Sequence, residues 1–436
     1  MNKFSKSVIW VSFAALGVVG CGGGGGGGGG IGGTASNGTV GVLSGFGSVF
    51  VNGVEFDTSG ASISVDGSPA SENELEVGMI VAVTGNSSGA SGSATSISTS
   101  DELEGLVESN SIATGSDTGT MMIMGQQVTI TDTTVFESNE ATITTFSEVA
   151  IGNIVELHGY SDGNGRIVAT RLEVKALDLA SYGGEIELKG VISNLDSTTS
   201  VFDIGGMTVD YGSVPADLSD LPGGIITDGL FVEVKSTAGL DASGFLIASK
   251  VELEDDESSS DSDDDGEELE VKGTITSDID GTRRFSIGMQ VVLVTDNTEL
   301  EDVSESGLAS GVMVEVEGTV NANGELVASD IEAKEGSSGG SSSRMEVKGS
   351  ITSITLDGTS PNSGSITVLD AGNVSTVIQI TNSTIMKDDD DSNGMTPVHN
   401  FNLSNLANGN NVEVKYYVDS ATGNNIALKL EREDSN

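Results

Sequence analysis

The chain is short of almost everything that usually marks an activity. It has a single cysteine, Cys21, so no disulfide can form within it. His158 and His399, the only histidines, lie far apart in the sequence, and neither has a second His or Cys near it to help build a zinc site of three or four convergent ligands. Tryptophan occurs once, at Trp10, and tyrosine five times, so a platform of aromatic rings for stacking sugars is not expected. Lysine and arginine total 18 against 66 acidic residues, a formal net charge of −48. A surface of that sign repels polyphosphate and favours cations, which argues against nucleic-acid binding and against docking of the folded part on anionic headgroups. Hydrophobic residues make up 36% and aromatics 4%, thin core material that suits several small domains better than one large one. Beyond the first twenty residues, no stretch approaches the length of a transmembrane helix.

What is present begins at the N-terminus. Met1-Asn2-Lys3-Phe4-Ser5-Lys6 is a basic n-region, and Val8 to Val19 is an apolar run of secretory-signal length. The run ends in Val18-Val19-Gly20-Cys21, and Gly22 to Gly30 follow without interruption. Small residues before a lone cysteine resemble the lipobox of bacterial lipoproteins; the alternative is an ordinary signal peptide with an incidental cysteine. The resemblance implies cleavage before Cys21 and lipidation of its thiol, with palmitate among the acyl chains that hold the protein on a membrane. Gly22 in place of aspartate after the cysteine resembles the sorting signal for the outer membrane. Cleavage removes two lysines and no acid, leaving the remainder still more acidic. The glycine run reads as a flexible tether, since the strand before and the Lys-Ser/Thr helix after that a phosphate-binding loop needs are both missing.

The rest of the chain repeats one unit five times. Glu187-Leu188-Lys189-Gly190-Val191-Ile192 matches Glu270-Val271-Lys272-Gly273-Thr274-Ile275 and Glu346-Val347-Lys348-Gly349-Ser350-Ile351. Weaker copies lie at Leu103-Glu104-Gly105 and Val40-Gly41-Val42. A second marker reads Val155-Glu156-Leu157, Val232-Glu233-Val234, Val314-Glu315-Val316 and Val412-Glu413-Val414, with Val81-Ala82-Val83 in the first unit. Aliphatic residues two apart around an acid have the period of a strand with one buried face. A third marker, Ala-x-x-aliphatic, closes each unit after a glycine turn: Ala94, Ala169, Ala248, Ala328 and Ala427 begin it. Shorter alternating runs lie between the first two markers, as does a polar stretch such as Ser304 to Ser310 with room for one helical turn. Five or six short strands per unit must close on themselves to hide their edges, which a small OB-like barrel does.

These markers resemble a family of repeated bacterial lipoprotein domains of unknown function, and the resemblance implies OB-like barrels and transfers no activity. The expected architecture is all-β: a tandem array of about five small OB-like barrels after a lipoprotein signal and a Gly-rich tether. The signal covers 1–20 and the tether 21–38; the units cover 39–101, 102–176, 185–254, 268–334 and 344–433. An acidic linker occupies 255–267 and a Ser/Gly linker 335–343, so the array reads as beads on a string. Marker glycines Gly190, Gly273 and Gly349 have inward parity, where a missing side chain permits strong coiling. Glu156, Glu233, Glu315 and Glu413, like Lys189, Lys272 and Lys348, have outward parity, which predicts cross-strand ion pairs on the barrel exteriors.

Few residues offer chemistry. Asp261-x-Asp263-x-Asp265-Gly266 and Asp389-x-Asp391-x-Asn393-Gly394 carry the first half of a calcium loop. The closing acid is missing from both, with Lys272 and Asn400 in its place, so these are either weak calcium sites or solvated acidic turns. Gly85-x-Ser87-x-Gly89 has the letters of a hydrolase elbow but lies in a hairpin, with no histidine in its unit. Met121, Met122 and Met124 suggest a soft-metal site, but two of the three alternate as residues of a strand core do. The expectation is a lipid-anchored, non-catalytic cell-envelope protein without cofactors. Its partners would be the membrane, through Cys21, and an envelope protein, a glycan or a small ligand, with no nucleic acid. The alternative is a calcium-dependent, adhesin-like stalk or spacer.

Overall fold

The computed structural model describes residues 38–434 apart from 89, 162–165, 254–267, 278, 288–289, 302, 310–311, 321–325, 334–343, 359, 391–396 and 420–421. Cys21 and the calcium-loop residues Asp261, Asp263, Asp265, Asp391 and Asn393 therefore lie outside the described residues.

Almost every described element is a strand, and one strand order recurs. In the fifth barrel Met345–Leu356 runs antiparallel to Gly364–Asp370, which turns back into Ser375–Ile380. Its other edge pairs with Asn411–Val418, which returns into Asn425–Glu433. The barrel closes where Ser375–Ile380 meets Asn425–Glu433 in parallel, while the short strand Ile385–Asp388 lies on the same final strand. The fourth barrel repeats this order, from Glu268–Ser277 through Met313–Val320 to Leu326–Ala333. Closure leaves few backbone groups unpaired at an edge, which is what a sheet of so few short strands requires. A single 3-10 turn precedes the final hairpin of each barrel, at Glu72–Glu74, Phe146–Glu148, Pro222–Gly224, Glu305–Gly307 and Leu403–Asn405.

The period-2 pattern fills the interiors. Val412, Val414 and Tyr416 point into the fifth barrel beside Val347 and Ile351, and Met121 and Met124 sit in the core of the second. The marker glycines permit close approach: a Cβ on Gly349 would lie 2.2 Å from the carbonyl oxygen of Leu369. A Cβ on Gly105 would meet the Met124 side chain at 2.2 Å.

The barrels are not separate beads. The second and third form one twelve-stranded sheet, because Leu103–Asn110 pairs antiparallel with Ile186–Asp196 at Leu103↔Leu188 and Glu104↔Glu187. They also share one hydrophobic core. Only one helical turn, Leu179–Tyr182, separates them in the chain, too short a connection to let them part. The first, second and fifth barrels also pack together. Val135 of the second sits in the core of the first, and Ile385 of the fifth packs against the same cluster. The Ser44 hydroxyl donates to the Asn382 carbonyl at 2.9 Å, and the Asn382 amide donates to the Gly53 carbonyl at 3.3 Å.

Candidate functional site

The outward faces of the last two strands and the first strand carry a ladder of charge in four of the five barrels. In the third barrel Glu187 lies opposite Lys235 and Lys189 opposite Glu233. On the other side Glu233 faces Glu252 and Lys235 faces Lys250. In the fifth, Glu346 faces Lys415 and Lys348 faces Glu413, with Glu431 and Lys429 beyond them. The second barrel has Glu104, Glu156, His158, Glu173 and Arg171 at corresponding positions, and Lys272 lies opposite Glu315 in the fourth. The first barrel is neutral there, with Ala82 facing Ser98 and Thr84 facing Ser96. Opposite-sign pairing between the first and penultimate strands agrees with the sequence in the third, fourth and fifth barrels, whereas Glu156 in the second faces Glu104 and Glu173.

The location of this ladder differs from expectation. Glu233, Glu413, Lys387, Lys415, Lys429, Arg171 and His158 are all buried. They are outside their own barrels and inside the assembly, because each face is covered by a neighbour. Lys415 shows the arrangement most clearly. Its ammonium lies 2.7 Å from Asp117 of the second barrel, 2.6 Å from Glu346 and 2.7 Å from Glu413. Lys429 donates to the Thr134 carbonyl at 3.0 Å and Lys387 to the Phe136 carbonyl at 2.5 Å, both across the same interface. Arg344 pairs with Asp132 at its margin. Burying an ion pair costs desolvation, so such faces hold together only if every charge finds a partner.

In the second barrel, Glu156 and Glu173 face each other and need compensation. Lys175 supplies it, 2.7 Å from Glu156 and 3.7 Å from Glu173. Burial works against the charge on Glu156, but the adjoining His158 and Lys175 outweigh it and hold its pKa at about 2. His158 Nε2 is 3.5 Å from the Glu156 carboxylate, too long for a hydrogen bond, so their interaction is electrostatic.

A cleft of about 260 Å³ opens where the first, second and fifth barrels meet. Glu76, Glu137, Glu173, Arg171, Lys387 and His399 line it. His399 stacks on Phe46 at 4.6 Å, and its Nδ1 lies 3.4 Å from Glu76. Arg171 donates to the Val77 carbonyl at 3.3 Å and to Glu173 at 3.2 Å. Arg171 Nε and His399 Nε2 are buried and have no hydrogen-bond partner among the described residues. Two buried polar nitrogens without partners among the described residues thus belong to side chains that line one cleft.

Burial pushes Glu104 up to about 7 despite its bond with Tyr182. Burial and then the charge of Glu233 push Glu187 up to about 7. Burial and then Glu431 do the same to Glu433. Each takes up a proton on folding, so stability falls as pH rises from about 4.5 to 7. Glu156, held low, contributes stability that is lost as pH falls below about 4.5. The melting temperature should therefore peak near pH 5, and Glu104→Gln should flatten the decline toward pH 7. A monotonic rise to pH 8 in a melting series would contradict this.

Of the residues singled out from sequence, Asp389 is described. It pairs with Lys387 at 2.6 Å, and burial raises its pKa to about 6 against the opposing charge of that lysine. Gly85 to Ser88 belongs to the strand Ile80–Ser88, which returns directly into the strand Ser91–Thr99. His158 and His399 lie in separate sites. Asp101, Asp117, Arg171, Lys387 and Lys415 were missed as interface residues. The one available signal was lysine two residues beyond the Val-Glu-Val acid, at Lys235 and Lys415.

Fold and faces together define an all-β array of OB-like barrels that docks its members through buried charge. The chain belongs to the family described as domain of unknown function (DUF5666), whose profile matches residues 37–98, 104–173, 272–332 and 348–431. The third barrel, with strands from Ile186 to Leu253, lies outside those matches. Among solved structures, drosophila Unr CSD456 is similar at 14% identity, with 56% of this chain and 96% of that chain covered and a TM-score of 0.14. No curated protein matches the chain.

Proposed function

We propose that the chain is a lipid-anchored, non-catalytic protein of the bacterial outer membrane whose packed barrels act as an interaction or display module. Three features support the anchor: the basic start, the apolar run from Val8 to Val19, and small residues before Cys21. Residues 22–38 have the Gly-rich composition of a tether between the anchor and the barrels.

The observation that carries the interaction role is the cleft at the three-barrel junction. It is built from three different repeats, and Arg171 Nε and His399 Nε2 stand beside it without partners. The acids around it, Glu76, Glu137 and Glu173, favour a small polar ligand or a protruding side chain that carries hydrogen-bond acceptors alongside a cationic group.

Cys21→Ser tests the anchor. The variant should move from the membrane pellet to the soluble fraction and lose metabolic labelling by palmitate, whereas retention in the pellet contradicts the proposal. Protease treatment of intact cells, probed at the fifth barrel, then separates a surface location, where the signal is lost, from a periplasmic one, where it persists until the outer membrane is broken.

A further inference from the structure

Two of the charged ladders gather three carboxylates at one point, and they differ in what lies among them. At the fifth barrel the three are Asp117, Glu346 and Glu413, and the Lys415 ammonium sits within 2.7 Å of each. At the third barrel the corresponding residues are Glu187 and Glu233, joined by Asp101 from the connection between the first and second barrels. One carboxylate oxygen from each of these three lies within 4.8 Å of the others.

At the third barrel the ammonium groups of Lys189 and Lys235 stand farther from Glu187 and Glu233 than Lys415 does from its carboxylates. Lys235, the counterpart of Lys415, is 3.1 Å from Glu233, 3.4 Å from Glu187 and 3.6 Å from Glu252. Lys189 donates to the backbone carbonyl of Asp101 at 2.8 Å and stands 3.7 Å from Glu233. Both carboxylate oxygens of Asp101 are buried with no hydrogen-bond partner among the described residues, and the residue is only 5% exposed. Asp66, Glu156 and Glu252 add negative charge around the group, against the ammonium groups of Lys189 and Lys235. A carboxylate stripped of both water and donors marks a missing positive partner.

We propose that Asp101, Glu187 and Glu233 bind one divalent cation of the calcium type, which ties the first-to-second barrel connection to the third barrel. All three donors are carboxylate oxygens, with neither imidazole nor thiolate among them, which selects a hard cation over zinc. They come from two strands and a connecting segment, Glu187 on Ile186–Asp196 and Glu233 on Phe231–Ser236. That irregular set suits calcium, which tolerates variable geometry, better than magnesium, which demands a near-ideal octahedron. The site is distinct from the acidic stretches at 261–265 and 389–393 and does not depend on the lipid anchor.

Calcium chloride titrated into the full chain by calorimetry, with parallel melts in chelator and in about 1 mM calcium, tests the proposal. The parent should show a saturable site and a melting temperature several degrees higher with calcium. Asp101→Asn should keep the fold, since it replaces an unpartnered buried carboxyl with a neutral group of the same shape, and should lose both the site and the shift. Glu187→Gln should lose them too, which covers the case where one variant misfolds. A chain carrying Asp261→Asn, Asp263→Asn and Asp265→Asn should retain them. The proposal is overturned if the parent shows no saturable binding, if the Asp101 and Glu187 variants bind as the parent does, or if the linker variant alone abolishes the shift.

Discussion

Lys415→Met is expected to destabilise the docking of the fifth barrel on the second by about 3 kcal/mol. The substitution leaves Asp117, Glu346 and Glu413 gathered around an apolar side chain with no cation among them. Removing one partner of a buried ion pair typically costs about 3–5 kcal/mol, because the other charge stays desolvated. The lower end applies here, since Asp117 and Glu346 are nearly half exposed and regain some water. For a barrel of this size the loss corresponds to a melting transition lower by on the order of 10 °C. Differential scanning calorimetry of the full chain reads it directly. Lys415→Arg keeps the charge and should lose much less, so equal losses in the two variants would show that packing of the stem, and not charge, holds the site.

The second large effect is expected at the three-barrel junction. Lys387 is buried in the fifth barrel, yet it touches Glu137 at 3.2 Å and the Phe136 carbonyl at 2.5 Å, both in the second. It also holds Asp389 at 2.6 Å. Lys387→Met should cost about 3 kcal/mol at pH 8, where Glu137 and Asp389 remain charged without a partner. Asp389 already has its pKa raised to about 6 by burial, with Lys387 holding it down. Removing that lysine raises it further, so at pH 5 the carboxyl takes a proton and the penalty shrinks. Denaturant titrations at the two pH values should therefore differ, with the larger loss at pH 8. Equal losses at both would mean that the lysine acts through its hydrogen bond to Phe136 alone.

Within one barrel, much of this was legible in the sequence. Val412, Glu413, Val414 and Lys415 alternate as a strand must, so the assignment of each side chain to the inside or outside follows from parity. The pairing of Lys189 with Glu233, and of Lys348 with Glu413, follows from the same parity and the repeated order of the markers. Between barrels, little was legible. Parity places Lys415 outside its barrel but cannot say that Asp117, about 300 residues earlier, covers it. The Ser/Gly segment at 335–343 has the composition of a free linker, and its composition carries no record of where the following barrel docks. His158 illustrates the limit. Its outward position beside Glu156 follows from parity, while its burial is announced by no local pattern. Asp101 carries no repeat signature, because it belongs to a connection and enters the third barrel's ladder only through the fold.

The first, second, third and fifth barrels form one packed body, joined by a shared sheet and core and, between the second and fifth, by buried charge. Cleavage at a protease site inserted within 335–343 tests it most directly, by asking whether the fifth barrel stays with the rest. The contacts of Lys387, Lys415 and Lys429 predict that the nicked fragments co-elute from a sizing column at physiological salt and separate when Lys415→Met and Lys387→Met are combined. A fifth barrel that elutes alone as soon as the link is cut would contradict the packing and restore the picture of independent beads.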